Sequence, residues 1–133
     1  MNAVHLTADL HGCPAGLPAL RDTEALRVLC LRAVREAGLQ AVGELFHRFP
    51  APGGVTGAVL LAESHLAVHT WPEHGTVTVD AFVCNASADN TGRAERLLEA
   101  VVAPFGAAQV LRQRLSRSSP AAPPPADRPH PPA

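Results

Sequence analysis

The chain has no tyrosine, one tryptophan and four phenylalanines in 133 residues, so few aromatic side chains are available to stack on a ligand. Long apolar runs are also missing. Nothing approaches the ~20 residues of a membrane-spanning helix. Met1 opens on an alternating segment rather than on a basic stretch followed by an apolar one, so neither a membrane anchor nor an export signal is expected and the chain reads as cytoplasmic. Charge of one sign is not in surplus: 11 basic against 12 acidic side chains give a formal net charge of -1. With no clustered Lys/Arg stripe, nucleic acid is not the expected partner. The three cysteines, Cys13, Cys30 and Cys84, are odd in number and lack C-x-x-C spacing, which predicts thiols rather than disulfides.

Proline is present but unevenly placed. Seven of the 13 prolines follow residue 119, so a packed core must come from roughly the first 115 residues. One domain is expected at 1–117, followed by a disordered, polyproline-biased tail at 118–133.

Hydrophobic periodicity orders the domain. Val4, Leu6, Ala8 and Leu10 alternate with His5, Thr7, Asp9 and His11 as in a half-buried strand. From Asp22 to Ala37, the set Leu26, Leu29, Cys30, Ala33 and Ala37 recurs at helical spacing and Gly38 stands as a C-terminal cap. A strand over 41–49 breaks at Pro50-Ala51-Pro52-Gly53-Gly54. Extended segments follow at 55–63, 65–70 and 76–84, then a helix over 91–103 and a last strand over 109–115. Written β-α-β-β-β-α-β, this predicts an α+β two-layer sandwich, a mainly antiparallel sheet with both helices on one face. Val77, Val79, Ala81 and Val83 point to the helices, which leaves Cys84 on the other, more polar face. Even offsets put Thr56, Ala58, Leu60, Ala62 and Ser64 on one side of an unbroken strand, so Thr56 and Ser64 are expected to share a space. The face carrying Ala58, Leu60 and Phe82 is neither polar nor helix-covered, which predicts sheet-to-sheet contact with a second copy.

Reactive side chains concentrate in Glu63-Ser64-His65-Leu66-Ala67-Val68-His69-Thr70-Trp71-Pro72-Glu73. A metal site using His65, His69 and Cys84 has the right residue types, but it lacks finger or ribbon spacing and no metal is expected. A serine hydrolase built on Ser64 and a histidine lacks the G-x-S-x-G elbow. The plain alternative is that Ser and His at a strand end hydrogen-bond a turn, and it must then account for the whole cluster.

The run Ala62 to Glu73, followed by Val79-Asp80-Ala81-Phe82-Val83-Cys84, resembles the pyruvoyl-dependent S-adenosylmethionine decarboxylase proenzymes of the short prokaryotic type. Phe46-His47-Arg48-Phe49 and Gly54-Val55-Thr56-Gly57 match as well, Leu10-His11-Gly12-Cys13 more loosely, and the resemblance spans about residues 4 to 115. It implies an autocatalytically processed carboxy-lyase whose Glu63–Ser64 bond cleaves to give a 1–63 beta chain and a 64–133 alpha chain. The Ser64 hydroxyl attacks the Glu63 carbonyl, an ester forms, and elimination then hydrolysis leave a covalent pyruvoyl group at position 64. That group would take the substrate amine as a Schiff base and act as an electron sink. The resemblance further implies that His69 assists processing and that Thr56, where many relatives carry Ser, contributes a hydroxyl to it. By the same token Cys84 donates the proton after decarboxylation. Phe49, Glu63 and Glu73 are implied substrate contacts, with Phe49 on adenine.

The implied product is decarboxylated S-adenosylmethionine, the aminopropyl donor of spermidine and polyamine biosynthesis, made by a homodimer. His74, Thr76 and Asn85 depart from the family pattern near the pocket. They leave open a pyruvoyl-dependent ornithine or arginine decarboxylase. A non-catalytic regulatory paralogue is a further alternative, which intact Ser64, His69 and Cys84 argue against. Cys13, in a turn, and Cys30, on a core stripe, are expected to be structural.

Overall fold

The computed structural model describes residues 2–85 and 88–118. The expected tail lies outside the described residues, apart from Ser118. The elements are β1 (Asn2–His11), α1 (Thr23–Glu36), β2 (Ala41–Arg48), β3 (Val55–Leu61), β4 (Ser64–Trp71), β5 (Thr76–Cys84), α2 (Thr91–Val102) and β6 (Gln109–Ser118). The α+β class and the two helices hold. The strand formula is one short, since four strands rather than three separate the helices. The last strand runs through Ser118, one residue past the expected domain boundary.

The six strands form one sheet in the order β2-β3-β4-β5-β1-β6, antiparallel at every step. Alternation decides which face is covered. Leu6, Ala8 and Leu10 of β1, Val55, Val59 and Leu61 of β3, Leu66 and Val68 of β4, and Val77, Val79, Ala81 and Val83 of β5 are all buried. They pack with Leu26, Cys30, Ala33 and Val34 of α1 and Leu97, Leu98 and Val101 of α2 in one core. Residues directly opposed in an antiparallel pair share a face, so the register assigns the other set. Leu45 opposes Ala58, Leu60 opposes His65, His65 opposes Phe82, and Leu115 opposes His5, all on the helix-free face.

The local sequence explains the ends of α1. The Asp22 side chain accepts a 3.0 Å hydrogen bond from the Glu24 N–H. At the other end, Gly38 takes φ 77, and the Leu39 N–H closes on the Val34 carbonyl at 3.0 Å, the αL stop that a glycine makes without steric cost. Deeper in, Thr70 is a buried polar side chain: its hydroxyl accepts from the Val55 N–H at 2.8 Å and donates to the Leu20 carbonyl at 2.8 Å. It joins the β3–β4 pair to the turn before α1. Gly57 lies under the Phe46 ring, and a Cβ there would sit 2.2 Å from it.

Candidate active site

β3 and β4 form a hairpin whose loop is only Ala62 and Glu63, with Leu61 paired to Ser64. Glu63 has φ 55, and among the described residues it is the one non-glycine in that region. A side chain held there costs on the order of 1–3 kcal/mol. The strain sits beside the Glu63–Ser64 peptide bond.

Ser64 starts β4 and faces the end of β5. The Cys84 N–H donates to Ser64 Oγ at 3.0 Å, and Cys84 Sγ lies 3.8 Å from Glu63 Oε2. Glu63, Ser64 and Cys84 line a cavity of about 260 Å³ with Leu39, Gln40, Asn90 and Arg93. Glu63 and Ser64, the expected cleavage pair, and Cys84, the expected proton donor, are therefore together. Cys84 is half-buried, whereas burial pushes the Cys30 thiol up to about 12 and the Cys13 thiol upward as well. Cys13 and Cys30 are held as neutral core thiols.

The remaining candidates gather elsewhere. Thr56 and His69 oppose each other across β3 and β4, and Thr56 Oγ1 and His69 Nδ1 share a 3.0 Å hydrogen bond. They open into a second pocket, about 330 Å³, lined also by Phe49, Pro50, Pro52, Trp71 and Glu73. The His47 ring meets Phe49 edge-on with centroids 4.7 Å apart, and the His69 and Trp71 centroids are 6.1 Å apart.

One expectation is corrected by this geometry. Thr56 does not share a space with Ser64, because the chain reverses at Ala62–Glu63 and the even offset does not carry across a hairpin. His69 is remote from Ser64 as well. β4 is continuous, so five residues separate them by about 16 Å. His65 and Phe82 join neither pocket. They stack at 5.4 Å on the open sheet face, with the Arg117 guanidinium 5.7 Å from the Phe82 ring centre. No three His, Cys, Asp or Glu side chains converge as a metal site among the described residues.

Asn90 and Arg93 were not legible as site residues. An asparagine directly before a helix looks like a cap, yet the Asn90 side chain does not cap α2. Its amide reaches the Cys84 carbonyl at 3.0 Å.

Comparison with known proteins agrees with the sequence resemblance. The S-adenosylmethionine decarboxylase family model matches residues 4–118. Among curated relatives, the S-adenosylmethionine decarboxylase proenzyme of Carboxydothermus hydrogenoformans is 43% identical over 91 residues, covering 67% of this chain and 69% of the relative. That of Acidithiobacillus ferrooxidans is 39% identical over 112 residues, covering 84% and 79%. The crystal structure of the adenosylmethionine decarboxylase from Aquifex aeolicus VF5 superposes with a TM-score of 0.79 at 30% identity, over 95% of this chain and 97% of that one. On this breadth of match, in sequence and in fold, the chain belongs to the S-adenosylmethionine decarboxylase family.

Proposed function

We propose that the chain is a self-processing decarboxylase acting on S-adenosylmethionine, and that it cleaves itself between Glu63 and Ser64 into segments 1–63 and 64–133. The observation that carries this reading is the Ser64 hydroxyl fixed by the Cys84 N–H at 3.0 Å, directly after a strained Glu63. Ser64 Oγ adds to the Glu63 carbonyl carbon and the Ser64 nitrogen leaves as an amine, so the amide becomes an ester. Removal of the Ser64 α-proton then breaks the Cβ–Oγ bond. Glu63 departs as a carboxylate and residue 64 is left as dehydroalanine. Its imine form takes up water and releases ammonia, which yields an N-terminal pyruvoyl group.

The residues present fit that group. It is built from Ser64 itself, at the wall of a cavity that also holds Glu63 and Cys84. The pyruvoyl carbonyl supplies the electron sink for loss of carbon dioxide. Cys84 Sγ, on the same wall, delivers a proton to the substrate α-carbon. The Thr56 hydroxyl and His69 ring act on the processing steps, Thr56 toward the oxyanion and His69 as the base. Phe49 offers a flat apolar face to adenine, with Trp71 and Glu73 in the same pocket.

His69 cannot reach Ser64 of its own chain across about 16 Å, so the reading requires a second copy. Leu45, Leu60, Trp71, Leu111 and Leu115 are exposed on the face that no helix covers. A two-fold axis near the middle of β4 brings the Ser64 end of one sheet to the His69 end of the other, an isologous contact that completes two sites at once. This supports a homodimer with composite sites. Among the described residues no helix is long and apolar enough to cross a membrane, and a cytoplasmic enzyme producing the aminopropyl donor for polyamine synthesis fits the reading.

Intact mass under denaturing conditions tests the cleavage: two fragments of 63 and 70 residues are expected, and the pair accounts for all 133. A whole chain favours the regulatory reading. Carbon dioxide release from S-adenosylmethionine, ornithine and arginine, compared side by side, tests the substrate. Release from a basic amino acid alone selects that alternative.

A further inference from the structure

Asn90 occupies the position before α2 that a capping side chain normally fills, yet its side chain does other work. The capping contact is taken by Asp89, whose Oδ1 accepts from the Thr91 N–H at 3.0 Å. That bond holds the Asp89 carboxyl below its ordinary range. The Asn90 amide is left with both ends engaged. Nδ2 donates to the Cys84 carbonyl at 3.0 Å and Oδ1 accepts from the Arg93 guanidinium at 2.9 Å. The Asn90 backbone N–H donates to Asn85 Oδ1 at 2.7 Å, and the Asn85 N–H is tied to the Asn2 carbonyl at 3.0 Å. Cys84 is the last residue of β5: it still pairs with Ala3 of β1, but on the β4 side the ladder ends at the His65–Phe82 pair.

From this we infer that Asn90 is a positioning residue for self-processing, acting through Cys84, a role that rests on the proposed function above. Its amide fixes the Cys84 carbonyl, and so the orientation of the same residue. The Cys84 N–H then stays on Ser64 Oγ and the thiol beside Glu63. Arg93 donates to the amide oxygen and so commits the NH2 group to face Cys84. Attack by Ser64 depends on that orientation because a nucleophile displaced by about 1 Å loses on the order of 10²-fold in rate.

The test uses the full chain and follows its splitting before Ser64 by intact mass over time. Asn90→Asp keeps the size and the Arg93 contact but replaces the donor with an oxygen that repels the Cys84 carbonyl. Asn90→Ala removes both contacts. At least tenfold slower splitting is expected for each, with the thermal midpoint of the unsplit chain lowered by no more than a few degrees. In the processed fraction, kcat falls while KM for S-adenosylmethionine stays within twofold, since Phe49 and Trp71 are untouched. Asp89→Ala is the control, because it removes the α2 cap from the same loop without touching Cys84, and its splitting rate should match the parent's. Equal slowing in Asp89→Ala and Asn90→Asp would reduce Asn90 to loop stability and overturn the role. Splitting of both Asn90 variants at the parent's rate overturns it too. A parent chain that stays whole overturns the self-processing reading itself, and this role with it.

Discussion

Thr56 Oγ1 and His69 Nδ1 are 3.0 Å apart on opposed positions of β3 and β4, at the far end of β4 from the Ser64 hydroxyl they are proposed to serve. The hydrogen bond locks the pair together and fixes the ring, so the His69 end of the hairpin is a prepared half-site. The Ser64–Cys84 contact at 3.0 Å is the other half. On the proposed composite arrangement, neither half is complete alone within one chain.

The composite arrangement predicts complementation. Ser64→Ala and His69→Ala are each inactive when expressed alone. Co-expressed in equal amounts, they form mixed dimers in which one site keeps both Ser64 and His69. Random pairing gives about a quarter of the parent's sites, read as the fraction of chains split by mass and as carbon dioxide released. Confirmed mixed dimers with no activity would place each site within a single copy.

The helix-free face predicts the cost of separating the copies. Leu60 and Leu115 are 54% and 56% exposed in the single chain, so replacing either with Arg changes the stability of the isolated fold by about 0.5 kcal/mol or less. In the proposed dimer the same charge would be buried against apolar side chains. Leu60→Arg and Leu115→Arg are expected to sediment as monomers and to split at least tenfold more slowly.

Thr70 joins three segments through one hydroxyl. Thr70→Val keeps the shape but leaves the Val55 N–H and the Leu20 carbonyl buried without that partner. A loss of about 2–4 kcal/mol is expected in denaturant unfolding. An unchanged midpoint would show that both groups find other partners.

The thiols predict a pH dependence. Burial raises Cys30 from 9.0 to about 12 in the folded chain. Below pH 9 both states keep the proton and stability is unaffected. Between pH 9 and about 12 the unfolded chain loses it while the folded chain retains it, so stability falls as pH rises, by up to about 1.4 kcal/mol per pH unit. Cys30→Ala should flatten that alkaline slope. In native alkylation at pH 8, the half-buried Cys84 should be modified before Cys13 and Cys30, with three modifications per chain after denaturation.

Several elements were readable because their cause is local. The stripe Leu26, Cys30 and Ala33 and the glycine at 38 specify α1. The alternation of Val77, Val79, Ala81 and Val83 specifies the buried side of β5 and leaves Cys84 on the other. The Thr56 and Ser64 parity argument failed for an equally physical reason: two residues on one extended strand keep their face relation, and a two-residue reversal at Ala62–Glu63 cancels it. Asn90 was hidden because an asparagine before a helix is ordinarily a cap, and only the fold reveals that Asp89 has taken that task.

The sequence by itself determined the family and placed the reactive side chains from Glu63 to Glu73 in one segment, because those residues are contiguous and their reactivity is a property of the side chains. It also determined one covered and one uncovered sheet face, since alternation alone separates them. Tertiary structure decided which of those side chains meet. Strand pairing set Cys84 against Ser64 and Thr56 against His69, and the straight run of β4 kept the two pairs about 16 Å apart. Those pairings arise from hydrogen-bond register between segments remote in sequence, which no local pattern encodes, and the length of β4 between them is why the reading of function requires a second copy of the chain.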